Sequence, residues 1–228
     1  MSVPTGPASA FPAAPVASSV FIEDVIPGLF VDLDLTPAER AVELRLGIVL
    51  AGDGGSDPGG EWTLHFVDGE LGIEPMRRPD CDVTLIQRIV DWRSALWAGR
   101  PAFVADAVEA LFSAPGQAPA ASALPFTLVP DPRALESLRA LRGHLEIRVE
   151  GEGGAASEDW RLGIVLGPGP IPERPDATIQ LGAAQAEAIH RGRLHPLEAL
   201  MTGELRLEGD LGLILQIQAI ALTASLPR

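Results

Sequence analysis

The chain has 228 residues, 46% of them apolar, and a formal net charge of −14. That apolar share suffices for real cores and argues against global disorder. The acidity disfavours nucleic acid as a partner, and disfavours docking on anionic membranes by charge alone. The single cysteine, Cys81, has no internal disulfide partner, which fits a reducing compartment.

Lys, Asn and Tyr are absent, a bias expected of a GC-rich bacterial genome rather than of a functional constraint. No Lys or Arg precedes Arg40, so the N-terminus lacks the positive region of a signal peptide. The most apolar run, Leu211 to Leu222, is too short to span a bilayer. The expectation is a soluble, cytoplasmic protein.

In chain order, residues 1–19 are mostly Pro, Ala, Ser and Gly, with almost nothing to bury, and read as a disordered tail. Phe21, Ile22, Val25, Ile26, Leu29 and Phe30 are spaced as on a helix, against which Pro27 and Gly28 count. Ala41–Leu50 and Glu61–Val67 are strand-like, and Asp68-Gly69 marks a hairpin into Leu71–Glu74. Asp82–Ile86 forms another strand, followed by helical patterns at Ile89–Leu96 and Phe103–Phe112. Residues 115–124 read as a linker. Beyond it come a helix over Asp131–Leu141, strands at His144–Glu150, Trp160–Leu166 and Ala177–Leu181, and a helix over Ala183–His190. Pro196–Met201 starts a short helix with Pro where a missing N–H costs nothing. Glu204–Glu208 alternates like a strand, and Gly209-Asp210 turns the chain into the last apolar run. Leu211, Leu213, Leu215 and Ile217 alternate there as in a strand, but Asp210 supplies a helix start, so a helix is expected.

The two halves repeat the same order of parts. Glu61-Trp-Thr-Leu matches Asp159-Trp-Arg-Leu, and Pro79-Asp-Cys-Asp-Val-Thr-Leu85 matches Pro175-Asp-Ala-Thr-Ile-Gln-Leu181. Such self-similarity predicts two copies of one unit, 20–114 and 125–228.

This order resembles the sterol carrier protein type-two domain. The likeness rests on Trp62 to Gly69, on Asp91–Gly99 and His190–Gly192, where a helix after a Pro-Asp strand ends in Gly, and on Met201-Thr-Gly-Glu-Leu-Arg-Leu-Glu-Gly-Asp-Leu211. The resemblance implies an α+β fold: an antiparallel sheet of about five strands covered on one face by helices, here as a tandem repeat. It also implies an apolar tunnel for a fatty acid, acyl-CoA or sterol-like lipid, with no catalytic apparatus. The first copy lacks an equivalent of Gly203–Asp210, so its sheet edge is expected to be covered by Leu124–Val129 or by the other copy. In the second copy Gly167-Pro-Gly-Pro-Ile-Pro172 replaces the Asp-Gly hairpin and cannot sustain a ladder.

Candidate ligand-binding residues in the second copy are Leu197, Leu200, Met201, Leu211 and Leu215, among which the flexible thioether of Met201 would adapt to varied ligands. In the first copy Trp92, Leu96, Trp97 and Phe103 are either ordinary core or the wall of a pocket. His190, His195 and Glu198 match no closed zinc pattern. Cys81 has no local His partner. Gly52–Gly60 lacks the Lys-Ser/Thr of a phosphate loop and carries acidic residues. No catalytic residue, metal or cofactor is therefore expected. The partner is expected to be a hydrophobic small molecule, with no nucleic acid and no stable membrane insertion. The alternative is an assembly or accessory role, the apolar faces packing in a homodimer or on a partner enzyme.

Overall fold

The computed structural model describes residues 11–31, 33, 35–101, 132–151 and 159–224. Its strands are β1 (Leu44–Ala51), β2 (Gly59–Val67), β3 (Glu70–Glu74), β4 (Val83–Arg88), β5 (Gly143–Glu150), β6 (Trp160–Leu166), β7 (Ala177–Gly182) and β8 (Leu205–Gly209). All lie in one eight-stranded sheet, ordered β3-β2-β1-β4-β6-β5-β7-β8. The expectation of about five strands in each unit is thus corrected to a single mixed sheet that runs through both halves.

The reason lies in the edges. In the first half β1 pairs antiparallel with β2 and parallel with β4, and β3 adds to β2. In the second half β5 pairs antiparallel with β6 and parallel with β7, and β8 adds to β7. The first half therefore has an outer strand beside β2 but none beside β4. The second has one beside β7 but none beside β6. Asp68 (φ 52°) and Gly69 (φ 76°) make the turn that launches β3. The corresponding Gly167–Pro172 stretch has proline at alternate positions, which removes the donors a ladder needs. The two bare edges meet, and β4 pairs antiparallel with β6 from Val83↔Leu166 to Ile86↔Gly163. Of the two expected covers for the first copy's edge, the other half is the one observed. Leu124–Val129 lies outside the described residues, as do the 115–124 linker and the expected 103–112 helix.

The loops reinforce this junction. Arg77 donates to Thr84 Oγ1 (3.0 Å) and to the Gly169 carbonyl (2.8 Å), and Gly169 N–H donates to the Pro79 carbonyl (2.7 Å). Buried Trp160 donates its indole N–H to the Asp91 carbonyl across the halves (3.0 Å). Gly47 leaves no room for a side chain beside β4, since a Cβ there would stand 2.6 Å from Thr84 Oγ1.

The period-2 alternation of the strands puts their apolar side chains on one face, and the larger helices pack there. Ser18–Val20, Phe21–Val25 and Ile26–Val31 run on as one helix, α1, whose middle is a π turn. Ile26 N–H reaches the Phe21 carbonyl there. Pro27, which has no N–H and crowds the carbonyl before it, accounts for the widened turn. Further helices are α2 (Pro37–Arg40), α3 (Ile89–Trp97), α4 (Pro132–Ala140), α5 (Ala183–His190), α6 (Pro196–Thr202) and α7 (Leu211–Ala224). The last run is thus a helix, as expected, with Asp210 Oδ1 accepting from Leu213 N–H at its start (3.1 Å).

Of the tail expected over residues 1–19, residues 11–19 are described, and several of them pack on the rest of the fold. Phe11 lies edge-on to Phe21 at 5.7 Å, and Trp97 Nε1 donates to the Pro12 carbonyl. Ser18 is buried, giving its N–H and hydroxyl to the Asp57 carboxylate at 2.8 and 2.7 Å. One aromatic and one capped serine hold a segment whose average composition looks featureless.

Candidate functional site

The apolar face of the sheet is packed differently in the two halves. In the first half α1 and α3 cover much of it: Phe21, Ile22, Val25, Phe30, Ile89 and Trp92 close over Leu44, Leu50, Trp62, Leu64 and Phe66, all buried, while the strand residues Leu46, Ile48, Leu71 and Ile73 are half-buried around them. Trp92 stands edge-on to Phe21 (5.2 Å) and to Trp97 (5.4 Å). Trp62 reaches Glu23 of α1 through its indole N–H (2.8 Å). The structure thus brings Trp92, Leu96 and Trp97 into one aromatic core, with Leu96 and Trp97 half-buried at its margin. Phe103 lies outside the described residues.

In the second half the face is sealed only at its ends. At one end Leu213 and Ile214 of α7 close over Leu145, Leu166 and Ala177. At the other, Ala186 of α5 closes over Val149, Trp160 and Leu181. Between these ends, Ile147, Leu162, Ile164, Ile179, Leu205 and Leu207 are only half-buried. Ile147 and Ile179 belong to the margins of both clusters, so the strip between is continuous with each. None of these strand residues is among the candidates expected from sequence. Their signal was present as period-2 alternation, but alternation alone does not tell a sealed face from an open one.

The second-half candidates all lie on helices and all are solvent-exposed. Leu197, Leu200 and Met201 are on α6, at 57%, 38% and 81% exposure, and Leu211 and Leu215 on α7 at 51% and 63%. On α7 the buried Leu213 and Ile214 and the half-buried Ile217 and Ile220 form one stripe, while Leu211 and Leu215 lie one turn apart on another. α6 is held by local chemistry: His195 Nδ1 accepts from Leu197 N–H (3.2 Å), Pro196 fills the first turn, and Gly203 (φ 77°) ends it in the left-handed region. The structure therefore groups the candidates by half and does not join the Trp92 cluster to the α6 and α7 side chains.

The polar groups nearby are mostly spoken for. Arg191 and Arg193 both pair with Glu187, at 3.1 and 3.5 Å. A pocket of about 160 Å³ near the β7–β8 edge is lined by Glu150, Gln180, Gln185, Glu204 and Arg206 among others, a surface unsuited to a hydrocarbon chain. Among the described residues no three His, Cys, Asp or Glu side chains stand together as a metal site. No described helix is long and apolar enough to cross a membrane. Gly52–Gly60 turns out to anchor the N-terminal helix. Burial would raise the pKa of Asp57 in this loop. The hydrogen bonds from Ser18 Oγ, Ser18 N–H and Gly59 N–H and the charge of Arg93 (2.9 Å) outweigh it, holding the carboxyl below its ordinary range.

No curated protein matches the chain. Among solved structures, it is similar to the sterol carrier protein domain 2 of Helicoverpa armigera (21% identity, 39% of this chain, 73% of that chain, TM-score 0.30). It is also similar to sterol carrier protein 2 from Yarrowia lipolytica in its apo form (18%, 42%, 79%, 0.30) and to palmitated SCP2L2 from Aedes aegypti (17%, 38%, 75%, 0.25). The family model that matches is the SCP-2 sterol transfer family, over residues 123–222, the segment that holds the half-open apolar strip together with α6 and α7.

Proposed function

We propose that the chain binds and carries a hydrophobic ligand, a fatty acid, acyl-CoA or sterol-like lipid, on the apolar face of its second half, and performs no chemical step on it. The observation that carries this reading is the strip from Ile147 to Leu207, sealed at both ends and half-open between, with exposed aliphatic side chains on the flanking helices. The family match over the same segment supports it. Leu197, Leu200, Met201, Leu211 and Leu215 would close on the ligand as α6 and α7 settle against it. In the first half Trp92, Leu96 and Trp97 pack with Phe21 in the aromatic core, so we assign the ligand to the second half. The two halves read as divergent copies of one unit, each short of one edge strand, working in the cytoplasm of a bacterium.

The energetics need no precise polar site. Burial yields about 0.8 kcal/mol per methylene, so a sixteen-carbon chain offers roughly 12 kcal/mol gross. Lost translational and chain freedom removes about 4 kcal/mol or more. Micromolar binding requires about 8 kcal/mol. A half-open aliphatic strip meets this requirement without selecting one lipid.

The test is titration of the purified chain with a fluorescent fatty acid, alongside native mass spectrometry for co-purified ligand. Saturable micromolar binding is expected. Leu215→Glu should weaken it about tenfold or more with little change in stability, because the side chain is on the surface. No retained ligand and no saturable binding would overturn the proposal.

A further inference from the structure

β8 ends the sheet, and among the described residues no strand pairs with its outer side. An open edge offers unpaired backbone groups to another strand, and such edges are commonly blunted by repulsive charge. The edge at the opposite end, β3, is blunted in this way. Its outward sequence is Glu70-Leu-Gly-Ile-Glu74, and a full-length antiparallel pairing with itself about Gly72 would set Glu70 opposite the partner's Glu74.

β8 has the opposite pattern. It reads Leu205-Arg-Leu-Glu-Gly209. About a two-fold axis at Leu207, Leu207 faces its own copy, Arg206 falls opposite the partner's Glu208, and Leu205 falls opposite the partner's Gly209. A one-residue shift of the axis in either direction sets Arg206 or Glu208 opposite itself. The register centred on Leu207 is thus the one in which both charged positions of the strand meet opposite charge. Arg206 and Glu208 are both exposed and stand on the face away from the helices, where they face Gln180 and Thr178 of β7. Glu204 and Asp210 flank the strand and fall opposite each other at the ends of this ladder. Asp210 is turned inward to cap α7, and Glu204 lines the polar pocket with Arg206.

We infer that the partner of this edge is a second copy of the same chain, joined through an isologous antiparallel β8–β8 ladder centred on Leu207. The pairing extends the eight-stranded sheet across the axis. The half-buried Leu205 and Leu207 of each copy then continue one aliphatic face into the other. α6 packs against β8, so two α6 helices with exposed apolar side chains flank the junction and add to its buried surface. A five-residue ladder with two small helices lies at the low end of specific interfaces, so association is expected to be micromolar or weaker.

Sedimentation analysis of the full chain from micromolar to near-millimolar concentration tests this. A reversible monomer–dimer equilibrium is expected. Arg206→Glu and Glu208→Arg, each setting like charges opposite one another, should raise the dissociation constant about tenfold or more. The double variant, which restores opposite charges in reversed order, should dimerise again. Circular dichroism confirms folding, and if one single variant does not fold the other carries the same readout. A chain that stays monomeric throughout, folded single variants that dimerise as well as the unmodified chain, or a folded double variant that does not recover would each overturn the inference.

Discussion

The first and second halves share a ladder and differ in what lies over it. Over β1 and β2 the helices bring Phe21, Phe30 and Trp92 against Trp62 and Phe66, and these rings are buried, with Leu46, Ile48, Leu71 and Ile73 half-buried around them. Over β5 to β8 the helices bring leucine, isoleucine and alanine, Trp160 is the one buried aromatic in the clusters, and the middle of the face stays half-open. The same order of strand pairing therefore carries either an aromatic-filled core or a half-buried aliphatic face, and the side-chain volume delivered by the covering helices distinguishes them. Large rings fill the gap between helix and sheet; aliphatics of the same polarity leave room.

The comparison can be broken from the closed side. Trp92→Ala should cost about 3–5 kcal/mol, because it removes a ring packed against Phe21 and Trp97. Denaturant unfolding would measure this, and fatty-acid affinity in the second half should be unchanged if the halves divide their labour. A smaller effect is expected at the anchor that keeps α1 in place. Asp57→Asn should cost about 1–3 kcal/mol at neutral pH, since the carboxylate accepts from Ser18, Gly59 and Arg93 in a buried setting. Its folded pKa lies below its unfolded value, near 3.8, so its contribution is present above that value and is lost as pH falls through the folded one. Unfolding midpoints across the acid range should fall less steeply in the asparagine variant. The smallest stability effect belongs to the open side. Ile179→Val should cost about 0.5 kcal/mol, at the low end for this change because the site is half-buried. The same missing methylene should weaken a bound alkyl chain up to about fourfold, at roughly 0.8 kcal/mol. A variant that lost stability but no affinity would place the ligand elsewhere.

Most of the elements were legible because their signals are local. Asp68-Gly69 dictates a hairpin, alternation dictates strands, and Asp210 before the last apolar run dictates a helix rather than the strand that Leu211, Leu213 and Leu215 imitate. The joining of the two halves into one sheet was not legible to the same degree. Bare edges could be inferred, but the β4–β6 register joins residues some eighty positions apart and depends on which surfaces meet. The packing of Phe11 was not legible for a related reason: one phenylalanine amid proline and alanine does little to composition but a great deal to a cluster of rings. In the second half, sequence nominated apolar helical residues, Leu197, Leu200, Met201, Leu211 and Leu215, all of which lie at the surface. It passed over Ile147, Ile179 and their neighbours, because an alternating strand looks the same whether its inner face is covered or bare.

The antiparallel contact between β4 and β6 bears on inheritance as much as on architecture. Each half ends, on the side facing the other, in a strand whose hydrogen-bonding groups have no local neighbour to satisfy them. A gene trimmed to either half would encode a product with a raw, adhesive margin. A gene cut between them would encode two fragments that fit one another better than either fits water. Within the described residues, each half supplies the hydrogen-bonding partner that the other's edge strand lacks.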